Sequence, residues 1–77
     1  MSKADEMFEK LGYVKEETEF IVVYSKGNYK KKNLQIIHFL LDVKKLQIND
    51  NYIYQHRLHL NEIQAIVEKC KELGWLE

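Results

Sequence analysis

Three histidines, one cysteine and a run of glutamates are the residues of this chain that could do chemistry. His56 and His59 stand three apart, a spacing that serves a metal when both lie on one helix, with His38 and Cys70 as further ligand candidates. These two histidines fall where an extended segment gives way to a helix, so they point apart. A zinc centre also wants three or four ligands steadied by oriented partners. Cys70 sits in the apolar stripe of a helix, where a free cysteine behaves as a small hydrophobe, and nothing places a base beside it. Ser25 and Thr18 have no catalytic motif around them. Glu16, Glu17 and Glu19 cluster in a polar connector without apolar walls to tune them. Gly12, Gly27 and Gly74 are too far apart for a phosphate loop. The residues point to a non-enzyme with no cofactor and no metal.

One stretch could bind rather than react. Lys26, Lys30, Lys31 and Lys32 surround Tyr29 in a turn marked by Gly27-Asn28. Lysines could hold phosphates there while the tyrosine stacks on a base. The plainer reading is a solvated hairpin tip whose charges keep strand edges from aggregating. The whole chain carries 12 basic and 12 acidic residues, whereas a nucleic-acid binder usually shows a basic excess. The positive charge is local: residues 1–19 hold six acids and three lysines, and residues 20–34 hold four lysines and no acid.

Length and composition bound the rest. At 77 residues with 45% hydrophobic content, the chain reads as one small folded domain, 1–77, with a marginal core. A single cysteine excludes an internal disulfide and fits a reducing compartment. No apolar run approaches the ~18 residues of a membrane span, and the first residues lack the apolar core of a secretory signal. These features predict a cytoplasmic protein with no membrane association.

Periodicity predicts the elements that position these residues. Ala4, Met7, Phe8 and Leu11 form a helical stripe behind the N-cap Ser2, with Gly12 as the stop. Lys15–Thr18 reads as a polar connector. Phe20–Tyr24 and Leu34–Leu41 read as strands, joined by the turn 26–33 and followed by a tight connection over Asp42–Lys45. Leu46-Gln47-Ile48 starts a third strand, which Asn49-Asp50-Asn51 interrupts with a bulge or turn. Residues 52–58 resume extended character, either as the same bent strand or as a fourth. A closing helix carries Leu60, Ile63, Ile66, Val67, Cys70 and Leu73 on its apolar side. Glu62, Gln64, Glu68, Lys69, Lys71 and Glu72 fall on its wet side. Asn61 or His59 caps its start, and Gly74 ends it. The expectation is a two-layer α+β domain in the order helix, three- or four-stranded antiparallel meander, helix.

The strands carry the strongest functional signal. A sheet covered on one side should alternate apolar with polar residues. Here Ile37, Phe39 and Leu41 share one face while Leu34, Ile36, His38 and Leu40 share the other. Phe20, Val22 and Tyr24 likewise lie opposite Ile21 and Val23. Two apolar faces need two covers, and an uncovered one marks an interface. The face of Leu34, Ile36, His38 and Leu40 is therefore the candidate interaction surface, for a protein partner or for a second copy in a homodimer.

Both ends of the chain carry a resemblance. The opening from Ala4 to Tyr13, with its Leu11-Gly12-Tyr13 ending, is similar to that of short proteins encoded by phages and prophages of Gram-positive bacteria. So is the closing helix, through Asn61–Ile66 and Lys71-Glu72-Leu73-Gly74-Trp75-Leu76. The family commonly has threonine where His59 stands, which implies an N-cap at that position. The resemblance covers roughly 30 of the 77 residues. It implies a phage or prophage accessory protein and no particular mechanism. The element order also resembles the double-stranded-RNA-binding domain, which binds through lysines at the start of its second helix. Here that helix starts Leu60-Asn61-Glu62-Ile63-Gln64, with no lysine, so the likeness is one of topology.

Overall fold

A computed structural model describes residues 2–51 and 58–76. The elements run α1 (Lys3–Lys10), β1 (Val14–Glu17), β2 (Ile21–Lys26), β3 (Gln35–Leu40), β4 (Lys45–Asp50) and α2 (Leu60–Glu72). The four strands form one antiparallel sheet in sequence order, and the chain is α+β. It divides into two compact units, Met1–Tyr13 with Arg57–Glu77, and Val14–His56.

In the first unit the two helices run in opposite directions. The start of α1 meets the end of α2: the Ala4 N–H donates to Glu72 at 2.9 Å, and Lys69 Nζ lies 3.6 Å from Asp5. The end of α1 meets the start of α2, where the Tyr13 hydroxyl donates to Glu62. Ser2 caps α1 by accepting from the Asp5 N–H. The N-cap of α2 is His59, not Asn61. Its Nδ1 accepts from the Asn61 N–H, and Glu62 reaches back to the His59 N–H at 2.7 Å. That reciprocal pair is a capping box, which outweighs asparagine's better intrinsic capping.

Both helices stop alike. The Tyr13 N–H bonds to the Phe8 carbonyl and the Gly12 N–H to that of Glu9; Trp75 and Gly74 repeat the pattern on Cys70 and Lys71. These are Schellman motifs with a left-handed glycine, at φ +92° and +76°. Phe8 and Tyr13, the pair that this motif brings together, meet edge to face at 5.4 Å.

The polar and apolar sides of α2 are not where its stripe predicts. Glu62 and Lys69 are buried, at 3% and 7% exposure, whereas Leu60, Ile63 and Val67 stand 64%, 43% and 38% exposed. The two buried charges each have partners across the helix pair, Tyr13 for Glu62 and Asp5 for Lys69. Burial of a charge is tolerable only under that condition.

The second unit is the sheet, and its fourth strand comes from a place that reads as a connector. β1 has no apolar alternation because it is an edge strand, with only Lys15 half-buried. Its hairpin uses Glu19-Phe20, which carries no turn signature; the turn is set by Thr18, whose Oγ accepts from the Phe20 N–H and whose N–H bonds to Ile21. Phe20 therefore lies in the bend, exposed, and not on the strand. At the other edge, β4 is not interrupted at 49–51: it pairs with β3 as far as Asp50↔Gln35. The strand reading of residues 52–58 falls outside the described residues except at Leu58, which is in no strand.

Candidate functional site

The sheet has two unlike faces. Val22, Tyr24, Gln35, Ile37 and Phe39 alternate along β2 and β3 and are buried. They are held in register by Val22↔Phe39 and Tyr24↔Ile37, with Tyr24 and Phe39 edge to face at 5.7 Å. Gln35 is the member of this face that an apolar pattern cannot reveal.

The other face carries Ile21, Val23, Ile36, His38 and Leu40, all half-buried. The pairings Ile21↔Leu40, Val23↔His38 and Ser25↔Ile36 set them in three rows. The rows continue onto β1 through Val14 and Glu16, and onto β4 through Asn49, Gln47 and Lys45. Three members of the predicted surface, Ile36, His38 and Leu40, share this face. Leu34 does not belong to the strand: it precedes β3, half-buried, and its N–H and carbonyl are both taken by Asn51. Ile21 and Val23 complete the patch. His38 stands at its centre with Nδ1 lacking a hydrogen-bond partner among the described residues. The patch is apolar around His38, acidic on the β1 side at Glu16 and basic on the β4 side at Lys45.

Side-chain hydrogen bonds shape the lysine turn. The Asn28 N–H donates to Asn33 Oδ1 at 2.7 Å, and Asn28 Oδ1 accepts from the Lys30 N–H at 2.8 Å. Asn51, just past β4, supports the loop by donating Nδ2 to the Tyr29 carbonyl and accepting from the Leu34 N–H. Lys30, Lys31 and Lys32 are exposed and Lys26 is half-buried. Tyr29 is 66% exposed, but one side of its ring faces Lys32 Nζ at 5.3 Å, a cation–π contact within the turn.

Cys70 is buried, and burial pushes its thiol up from the usual value, which leaves it a poor nucleophile at neutral pH. His59 is used as a helix cap and His56 lies outside the described residues. Among the described residues no three histidines, cysteines or acids gather as a metal site, and no helix there is long and apolar enough to cross a membrane. No protein-family model, curated protein or solved structure matches this chain.

Proposed function

We propose that this chain is a non-catalytic interaction module, an accessory protein of a phage or prophage, that associates with a second copy of itself through the half-buried sheet face. The observation that carries the reading is the row of Ile21, Val23, Ile36 and Leu40 alternating with a fully buried set on the same two strands. Apolar residues on a sheet's second face gain by being covered.

Charge favours a second copy as the cover. A two-fold axis in the interface, parallel to the strands, lays the β1 edge of each copy over the β4 edge of the other. Glu16 then meets the side that carries Lys45. A two-fold axis across the strands would set Glu16 against Glu16, a like-charge contact that costs stability. His38 lies near the axis in the favoured arrangement, close to Val23 and His38 of the other copy.

Area sets the strength. Three strands of six residues and one of four, at ~4.8 Å spacing and ~3.3 Å per residue, give a face on the order of 350 Å². That is about half the ~800 Å² per partner of a standard stable interface, so the dimer is weak and needs high concentration. Sedimentation equilibrium is expected to show reversible dimerisation. Ile36→Asp should raise the dissociation constant at least about tenfold, because its carboxylate would have to be desolvated. A monomer at every concentration, or an unchanged constant in the variant, would remove this reading.

A second reading, nucleic-acid contact through Lys26, Tyr29, Lys30, Lys31 and Lys32, draws support from the hydrogen bonds of Asn28, Asn33 and Asn51 that shape the turn carrying these side chains. Against it stand the charge balance of the chain and the contact of Lys32 with the tyrosine ring. It predicts that affinity for single-stranded RNA or DNA falls steeply with salt, and that replacing Lys30, Lys31 and Lys32 by glutamine lowers it strongly. Binding that ignores salt and these substitutions would count against it.

A further inference from the structure

The helix pair has an exposed surface of its own. Leu60, Ile63 and Val67 follow one another at three and four residues along α2 and are all exposed. Beside them a shallow groove runs between α1 and α2, lined by Lys3, Met7, Ile63, Gln64, Val67, Glu68 and Lys71. It continues as a smaller depression around Met7, Lys10, Leu11, Asn61 and Gln64. Lys3, Lys10 and Lys71 are exposed at its rim and have no ion-pair partner among the described residues. Glu68 is the one acid in the lining.

We propose that this groove docks an amphipathic helix with acidic flanks from a partner protein. Two antiparallel helices with an apolar stripe along their shared groove present the geometry into which a third helix packs, its own residues at i, i+3, i+4 and i+7 entering between theirs. Met7 suits such a site because its flexible thioether adapts to the shape it meets. The three rim lysines select the sign of the partner's flanks. A lysine-rimmed apolar surface could also meet an anionic bilayer. The groove is concave, and a helix can enter it where a bilayer surface would span it, so a helix is the better fit.

The test uses the whole chain and three probes: a synthetic amphipathic helix with leucines on one face and glutamates on its flanks, the same helix with lysines as flanks, and vesicles rich in an anionic phospholipid. Binding is followed by fluorescence anisotropy or co-sedimentation. The glutamate-flanked helix should bind at least about tenfold tighter than the lysine-flanked one, and the difference should shrink between about 50 mM and about 500 mM salt. Val67→Asp should abolish binding. Because Lys3 and Lys71 are exposed, the double variant Lys3→Glu with Lys71→Glu should fold normally by circular dichroism and reverse the preference. Ile36→Asp, which alters only the sheet face, should leave helix binding unchanged, so failure here and failure of self-association are told apart. Equal affinity for the two helices, no binding of either, or binding to vesicles alone would overturn the proposal.

Discussion

Replacing Gly27 by alanine is expected to be among the most damaging single substitutions in the sheet, lowering stability by roughly 3 kcal/mol or more. Two costs combine. Gly27 holds φ at +90°, a conformation that charges a side-chain-bearing residue roughly 1–2 kcal/mol. A Cβ there would also land on the backbone carbonyl of Asn33, far inside van der Waals contact. That carbonyl cannot swing aside cheaply, because Asn33 closes the turn through its side chain and its N–H to Asn28. A domain of this size has on the order of 4–12 kcal/mol to lose. Urea denaturation should therefore show a large fall in midpoint with little change in slope. An alanine variant as stable as the parent would mean that the turn is not built as described.

The second large effect is expected at the helix pair. Glu62→Ala removes the acceptor of the buried Tyr13 hydroxyl and the group that caps the His59 N–H. Losing a buried hydrogen bond to a carboxylate costs roughly 1.5–3 kcal/mol and losing a cap about 1 kcal/mol, so a loss of roughly 3 kcal/mol is expected. Glu62→Gln keeps an acceptor at one of the two places: its Oε1 can take the His59 N–H while its amide nitrogen donates to the Tyr13 hydroxyl oxygen. It should cost about 1 kcal/mol, and Tyr13→Phe an intermediate amount, since the carboxylate keeps its capping bond. The check is a double-mutant cycle between positions 13 and 62, which should return a coupling of about 1 kcal/mol or more. Additive effects would show that the two side chains do not act on each other.

Glu62 also marks where sequence reasoning misplaced a residue. Along α2 the glutamate and Lys69 read as wet and Leu60, Ile63 and Val67 as core, because hydropathy is assigned residue by residue. The partners that let the two charges be buried lie some 50 to 65 residues away, at Tyr13 and Asp5. What local chemistry decides was legible: Ser2, Gly12 and Gly74 end the helices as their types require, and the β-branched runs of β2 and β3 are strands. β1 was hidden because an edge strand need bury nothing, and Glu19-Phe20 is not a recognisable turn. The length of β4 was hidden because Asn49-Asp50 has turn composition but pairs with Gln35 and Ile36. Gln35 itself, fully buried, broke the pattern that identified its neighbours.

The candidate surface was legible for a specific reason. Two apolar faces on one strand form a contradiction that can be seen without coordinates, and Ile36, His38 and Leu40 do lie together on the less buried side. The contribution of β2 and the opposed charges at Glu16 and Lys45 required the register. The groove of the helix pair was not legible, since it depends on which of α2's apolar residues α1 leaves exposed.

Self-association through the sheet face is tested most directly by isotope-filtered NMR on an equal mixture of carbon-13-labelled and unlabelled protein at ~1 mM, a concentration suited to a weak interface. The predicted result is intermolecular contacts from the Leu40 methyl groups of one copy to Ile21 of the other, and from the His38 ring to Val23. A spectrum with no intermolecular contacts, or with contacts confined to α1 and α2, would contradict it.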